Sequence, residues 1–191
     1  MGCSPGRGDQ YAGTVSEATE PADLARRCAR AMYGEDRVAQ DLGMEIADVA
    51  PGRAVLRMAV APAMVNGFGI AHGGYLFLLA DSAFAYACNS RDVVTVAAAG
   101  DVVFVAPARA GDVLEAEAAE RARFGRSGVY DVTVRRVPDG EVIAEFRGTS
   151  RTIGKAQGTV TGTAPNAPAP DAPAPNAPAP DGPASNGPDP G

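Results

Sequence analysis

The chain of 191 residues has no tryptophan, one histidine and three cysteines. Three scattered cysteines are too few for a disulfide framework or a zinc site, and one histidine excludes a metal centre built from histidines. We therefore expect reduced thiols and no metal. Because no secretory signal is recognisable, these features together predict a cytoplasmic protein.

Long apolar runs and surplus basic charge are also scarce. No apolar run reaches the length of about 20 residues that a membrane-spanning helix needs, so we expect no membrane partner. The chain has 17 basic and 23 acidic residues, a net charge of −6. Without a basic surplus that could neutralise a phosphate backbone, a nucleic-acid partner is not expected either.

Composition divides the chain into three parts. Residues 1–20 are rich in small residues without periodicity, which predicts a flexible N-terminal extension. Residues 156–191 end in proline-rich pentads that begin at Asn166, and they predict a disordered, polyproline-like tail. We interpret this tail as a spacer, and a docking segment for a proline-recognising partner is the alternative. Residues 21–155 remain as one domain.

Hydrophobic periodicity and turn residues predict an α+β domain over residues 21–155. The expected elements are a helix over 22–36, strands over 44–49 and 54–60, a long helix over 75–89, and strands near 93–105, 112–122, 127–137 and 141–153. Turn-forming residues separate the last four strands, as hairpins require. The pattern indicates an antiparallel β-sheet wrapped around one long central helix.

Asp81 is the only formally charged residue between Met58 and Ser90. The surrounding helix is apolar on nearly every side, as expected of a buried helix. An unpaired carboxylate there costs on the order of several kcal/mol to desolvate. Isolated carboxylates in apolar surroundings are enriched at catalytic sites, so Asp81 is the first catalytic candidate. The alternative is a carboxylate that faces a wet cleft or caps a neighbouring loop.

The tripeptide His72-Gly73-Gly74 stands at the start of this helix. First-turn amides have no partner within the helix and suit an anion or a polarised carbonyl oxygen, although a tight turn is the alternative interpretation. Gly73 and Asp81 are eight residues apart, about 12 Å along a helix. One helix therefore cannot place both around one carbonyl, whereas two antiparallel copies related by a twofold axis can.

The segment from Asn66 to Ser90, which contains His72-Gly73-Gly74 and Asp81-Ser82, resembles the hotdog-fold acyl-CoA thioesterases. Within that family it is most similar to the phenylacetate-pathway branch, the (hydroxy)phenylacetyl-CoA thioesterases. Similar stretches at 104–107, 128–132 and 146–150 extend the resemblance to about residues 24–154. The resemblance implies a hotdog fold, dimers that pair into homotetramers, and no cofactor, since coenzyme A is part of the substrate.

The resemblance also implies roles for individual residues. Asp81 would be the nucleophile or the general base, and the Gly73 amide would polarise the thioester carbonyl. Asn66 and His72 would orient the carbonyl or the attacking water. For His72, a catalytic acid or base and an imidazole that stabilises the turn are equal alternatives, whereas an asparagine before glycine is more often a turn residue. Gly74 and Ser82 would contact the substrate beside them.

Coenzyme A carries phosphates, so cations are expected beside the site. Among the arginines near the 125–128 turn, Arg126 with Ser127 is the predicted phosphate contact, and a solvated arginine is the alternative.

The predicted function is hydrolysis of acyl-CoA esters with aromatic or medium-length acyl groups. One alternative is a non-catalytic acyl-CoA-binding protein, because a fold does not fix a function. Another is a hotdog dehydratase or hydratase, which is typified by an Asp-x-x-x-x-His arrangement. From Asp81 that spacing reaches Tyr86.

Overall fold

The structure is a computed structural model that describes residues 20–137 and 139–154. Apart from Glu20, the predicted N-terminal extension lies outside these residues, and so does the predicted tail over 156–191. Both therefore stay predictions.

The described elements are α1 (Pro21–Glu35), α2 (Arg37–Asp41), β1 (Glu45–Ala50), β2 (Arg53–Ala59), a short 3-10 helix (Pro62–Met64), α3 (Gly73–Cys88), β3 (Thr95–Phe104), β4 (Val113–Phe124), β5 (Ser127–Val137) and β6 (Val142–Thr152). The six antiparallel strands form one sheet in the spatial order β1-β2-β4-β5-β6-β3. The sheet curls around α3 and contacts it from every strand. The predicted α+β hotdog fold is confirmed.

Helix α3 is the centre of the core because most of its side chains are apolar and buried. Leu79, Ala80 and Ala83 are completely buried, and Phe84 is 1% exposed. Burial of a leucine or phenylalanine side chain contributes roughly 1.5–3 kcal/mol. The sheet therefore holds α3 in one position, and the residues at its N-terminus are fixed with it.

Two strand glycines let aromatic rings approach the sheet closely. A Cβ on Gly100 or on Gly148 would lie 2.9 Å from the ring of Phe146. The Phe146 ring in turn packs edge-on against Phe77, with centroids 5.3 Å apart, and lies 5.9 Å from Phe84. Phe77 and Phe84 both belong to α3. The absence of a Cβ at Gly100 and Gly148 therefore lets the helix and the sheet pack closely.

The structure differs from the sequence prediction at one helix boundary and by one additional helix. Helix α3 begins at Gly73 rather than at residue 75. The segment after α1 forms a further short helix, α2, which was not predicted. The Asp36 carboxylate caps α2 by accepting a hydrogen bond from the Ala39 N–H at 2.9 Å. A helix of five residues is too short to show periodicity in the sequence.

Strand β3 forms one edge of the sheet, because β6 is its only neighbour in the described chain. Several of its apolar side chains are uncovered: Val96 is 42% exposed, Val103 63% and Phe104 51%. An uncovered strand edge with apolar side chains is a surface on which another strand can pair. Among the described helices, none combines the length and apolar content that crossing a bilayer demands.

Candidate active site

The N-terminus of α3 is capped by the side chain of His72. The His72 Nδ1 atom accepts a hydrogen bond from the Gly74 N–H at 3.0 Å, and the His72 carbonyl accepts one from the Tyr75 N–H at 2.9 Å. Among the described residues the Gly73 N–H has no acceptor. The helix therefore begins with a free amide at its positive end.

Asn66 closes a tight turn in the loop that leads to α3. Its Oδ1 atom accepts from the Phe68 N–H at 2.9 Å, and its own N–H donates to the Ile70 carbonyl at 2.8 Å. Gly69 completes the turn with a φ of +74°, a conformation that glycine adopts readily. The interpretation of Asn66 as a turn residue thus accounts for the hydrogen bond that its Oδ1 atom accepts. Within the described chain, its Nδ2 group has no acceptor.

A cavity of about 530 Å³ lies between this loop and the end of β3. Its lining residues are Asn66, Ile70, Ala71, Gly73, Leu76 and the run from Phe104 to Ala108. The walls are apolar apart from Asn66 and backbone groups. The structure thus brings Asn66 and Gly73 together beside an apolar space.

One backbone hydrogen bond ties the two loops of this cavity to each other, and a second ties the segment after β3 to β6. The Ala71 N–H donates to the Ala108 carbonyl at 2.8 Å, and the Val105 N–H donates to the Ile143 carbonyl at 2.9 Å. The cavity wall is therefore anchored to the sheet as well as to α3. Sequence reasoning did not include the segment after β3 among the site residues, although it belongs to the stretches that carry the family resemblance.

Asp81 is half-buried in the middle of α3 and has no hydrogen-bond or ion-pair partner among residues 20–137 and 139–154. Burial raises the pKa of its carboxyl group above the ordinary value of 3.8. No described amide donates to it, so it does not cap a loop there. It lies with the partly exposed residues Phe77, Leu78 and Ala85 on one face of the helix, as their spacing of three to four residues requires. Ser82 follows it, also half-buried.

Within one protomer, the predicted site residues occupy separate places. Asp81 does not line the cavity that Asn66 and Gly73 share. Arg126 and Ser127 line another, much smaller cavity of about 40 Å³, together with Cys88 at the C-terminal end of α3. The Arg126 guanidinium donates to the Thr152 carbonyl from both Nε and Nη2, at 3.0 and 2.8 Å. Gly74 uses its N–H for the histidine cap, which leaves Gly73 as the available donor.

The described residues contain no group of three or more histidine, cysteine, aspartate or glutamate side chains that could hold a metal ion. What the arrangement does offer is a carboxylate with a perturbed pKa and a free helix amide. Such a pair suits attack on a carbonyl carbon, with the amide stabilising the oxyanion.

Residues 68–143 match the family model of the thioesterase superfamily. The acyl-coenzyme A thioesterase PaaI of Escherichia coli K12 is 45% identical over 136 residues, which are 71% of this chain and 94% of that protein. The solved structure of the E. coli PaaI protein from the phenylacetic acid degradation operon superposes with a TM-score of 0.70 at 42% identity, covering 72% of this chain and 99% of that one. A point mutant of the phenylacetic acid degradation protein PaaI from Thermus thermophilus gives a TM-score of 0.59 at 36% identity, covering 62% and 100%.

Proposed function

The chain belongs to the thioesterase superfamily, and on that premise we propose that it hydrolyses acyl-CoA thioesters to the free acid and coenzyme A. The observation that carries the proposal is the pairing, on one helix, of a lone half-buried carboxylate with a free N-terminal amide. The acyl group we propose is phenylacetyl, hydroxyphenylacetyl or a related aromatic or medium-length group. The similarity to proteins of phenylacetic acid degradation supports this choice.

We propose further that the active site forms between two protomers. The face of α3 that carries Asp81 also carries Phe77 and Leu78, and the β3 edge residues Val96 and Val103 are uncovered too. A second copy related by a twofold axis would cover both surfaces and place Asp81 near Gly73 of the partner subunit. Burial of exposed apolar side chains favours such pairing. Association of two such dimers into a homotetramer is part of the same proposal.

In the proposed reaction the Gly73 N–H donates to the carbonyl oxygen of the thioester and stabilises the negative charge that develops there. Asp81 acts in one of two ways. Its carboxylate attacks the carbonyl carbon, the C–S bond breaks, and coenzyme A leaves as thiolate; water then hydrolyses the mixed anhydride. Alternatively, the carboxylate accepts a proton from water as the oxygen of that water forms the new C–O bond; the C–S bond then breaks, and coenzyme A leaves as the thiol with the proton that Asp81 returns.

Other residues have supporting roles in this proposal. The free Nδ2 group of Asn66 donates to the carbonyl or to the attacking water, and Ser82 hydrogen-bonds the water beside Asp81. His72 holds the first turn so that the Gly73 amide stays available. In an antiparallel dimer, the C-terminal end of one α3 approaches the N-terminal end of the other. Arg126 and Ser127 would then reach coenzyme A bound at the partner's amide.

Among the alternatives, a dehydratase or hydratase is disfavoured by the position of Tyr86. This residue stands where such enzymes have their histidine, and it is 1% exposed. Its hydroxyl donates to Asp36 at 3.4 Å, and burial raises its pKa. A buried, bonded hydroxyl on the core side of α3 cannot exchange protons with a substrate at Asp81.

A cytoplasmic location also remains part of the proposal. The described cysteines, Cys28 and Cys88, are buried free thiols. Burial raises the pKa of the Cys88 thiol to about 12, so its reactive thiolate form is suppressed. Both cysteines are therefore typical of a protein that keeps its thiols reduced.

Release of free thiol from a panel of acyl-CoA esters tests the proposal. The panel holds phenylacetyl, hydroxyphenylacetyl, benzoyl, and short and long straight-chain esters. We expect turnover of an aromatic ester by the wild type and a loss of kcat of about 10²- to 10⁴-fold in Asp81→Asn. Asp41→Asn is the matched control, because Asp41 is an exposed carboxylate on α2. Binding of the esters without hydrolysis would instead favour the non-catalytic acyl-CoA-binding protein.

A further inference from the structure

Phe104, the last residue of β3, occupies space that only a glycine at position 73 leaves open. A Cβ built on Gly73 would lie 2.8 Å from Cζ of the Phe104 ring, 3.1 Å from Cε2 and 3.2 Å from Cε1. Carbon atoms of neighbouring side chains do not approach so closely. The end of the ring therefore lies directly against the backbone of the residue whose N–H is free.

Phe104 is more exposed than the other phenylalanines that pack against glycines. The rings of Phe84 and Phe146 fill the space beside Gly148 and are 1% and 3% exposed, whereas Phe104 is 51% exposed. The uncovered half of Phe104 belongs to the wall of the 530 Å³ cavity. An apolar ring left open in an apolar cavity favours a ligand group that covers it.

We propose that Phe104 determines the acyl-group specificity of this site. The planar acyl group of a thioester packs against the Phe104 ring while its carbonyl oxygen accepts from the Gly73 N–H. Aromatic rings prefer edge-to-face or offset contacts with one another, which a flat acyl group provides and a puckered ring of similar size does not. This inference rests on the proposed thioesterase function and adds the residue that selects the acyl group.

The position of Phe104 relative to Asn66 and Gly73 supports this role. All three residues line one cavity, so a group held by the Gly73 amide comes within reach of the ring. The remaining wall, formed by aliphatic side chains such as Ile70 and Leu76, offers apolar area but no flat face. Among the described residues of one protomer that line this cavity, Phe104 is therefore the only aromatic one.

Phe68 provides a matched control on the neighbouring loop. It is 89% exposed and, unlike its loop neighbours Asn66 and Ile70, does not line the cavity. Its ring contributes aromatic character close to the site without contact with the Gly73 backbone. A leucine substitution at either position removes the flat ring and keeps an apolar side chain.

The test compares two esters of similar size, phenylacetyl-CoA with a planar ring and cyclohexylacetyl-CoA with a puckered one, in thiol-release assays. We expect the ratio of kcat/KM for phenylacetyl-CoA to kcat/KM for cyclohexylacetyl-CoA to be roughly 3- to 10-fold lower in Phe104→Leu than in the wild type. Phe104→Tyr keeps the ring and is expected to keep the ratio, as is Phe68→Leu. The acyl group of butyryl-CoA is too small for its turnover to depend on the Phe104 ring. The kcat/KM for this ester therefore reports on the reacting groups alone.

Thermal unfolding and gel filtration show whether each variant folds and assembles like the wild type. If Phe104→Leu does not fold or assemble like the wild type, Phe104→Met supplies a second non-aromatic variant in which the same ratio is measured. An unchanged ratio in the non-aromatic variant, or an equal fall in Phe68→Leu, overturns the inference while the thioesterase function stands. Absence of thiol release from every ester by the wild type would instead overturn the proposed function, and this inference with it.

Discussion

Asp81 lies eight residues after Gly73 on the same helix, α3, so that the carboxylate and the free amide are about 12 Å apart along its axis. Both groups must lie within about 3–4 Å of one reacting carbonyl to act on it together. The covalent spacing along α3 therefore separates, within a protomer, two groups that the proposed chemistry requires side by side.

Gly73→Pro removes the free amide at a position where helical backbone accepts proline, although its Cβ must displace the Phe104 ring. Proline is well tolerated at the first helical position, and the preceding residue, His72, already has the extended conformation that proline requires, with ψ at 131°. Gly73→Ala is the control, because it also adds a Cβ against Phe104 but keeps the N–H. We expect kcat of the proline variant to lie about 10²-fold or more below that of the alanine variant. Equal kcat values in steady-state assays would remove the amide from the mechanism.

Mixed dimers of Asp81→Asn and Gly73→Pro subunits test whether the site spans two protomers. In such a dimer one site holds an intact Asp81 from one subunit and an intact Gly73 from the other, while the second site lacks both. Dimers purified through two different tags should therefore recover about half of the wild-type activity. If each site lay within one protomer, the mixed dimer would be as inactive as its parents.

The raised pKa of Asp81 predicts a stability effect that depends on pH. Because burial raises the folded-state pKa above the ordinary 3.8, the folded protein is destabilised once the carboxyl ionises, and this penalty is complete above the folded-state pKa. At pH 7, Asp81→Asn should therefore unfold at a higher temperature than the wild type. For a half-buried group screened by solvent, the difference should be on the order of 1 kcal/mol or less.

The difference in stability between Asp81→Asn and the wild type should vanish below about pH 3.8, where Asp81 is protonated in the folded and unfolded states alike. Thermal unfolding of both proteins across this range measures it. An Asn variant less stable than the wild type at pH 7 would show that the carboxylate has a stabilising partner. In activity assays, the acid limb of the wild-type kcat/KM profile should have its midpoint above 3.8.

His72 stabilises the first turn of α3 through its bond with the Gly74 N–H. Loss of such a cap in His72→Ala should lower the free energy of unfolding by about 1 kcal/mol. Asparagine caps helices well, so His72→Asn should recover most of that loss in urea unfolding. Two variants that both unfold like the wild type would show that the cap contributes nothing to stability.

Much of the fold could be predicted because its signals are local. Turn residues such as Gly52 and Gly140, both with positive φ, separate the strands in the sequence as they do in space. Asp81 was recognisable for a similar reason, since a single charge in an apolar helix needs no knowledge of the fold. The glycines of His72-Gly73-Gly74 marked the region of the helix start, although the apolar pattern placed the first helical residue at 75, two residues after the observed Gly73.

The residues that complete the site depend on contacts between distant segments. Phe104 lies against Gly73 only because β3 joins the far edge of the sheet, beside the start of α3. No periodicity in the sequence records that contact. Arg126 was predicted beside the site, yet the structure places it at the opposite end of α3 from Gly73. Whether Arg126 contacts coenzyme A in its own protomer's site or in the partner's depends on how the protomers assemble. A pattern in the sequence does not encode that assembly.

The order of the strands in the sheet has a consequence for synthesis of the chain. Strand β3 pairs only with β6 among the described strands. Thr95 of β3 therefore cannot pair until its partner in β6, Thr152, has been synthesised 57 residues later. Sheet partners so distant in sequence form late in folding. Translation must therefore reach the last strand before β3, its exposed edge and the Phe104 wall take their places. A product that terminates before β6 would contain Asp81 but lack the strand with which β3 pairs, so the Phe104 wall of the cavity would not form.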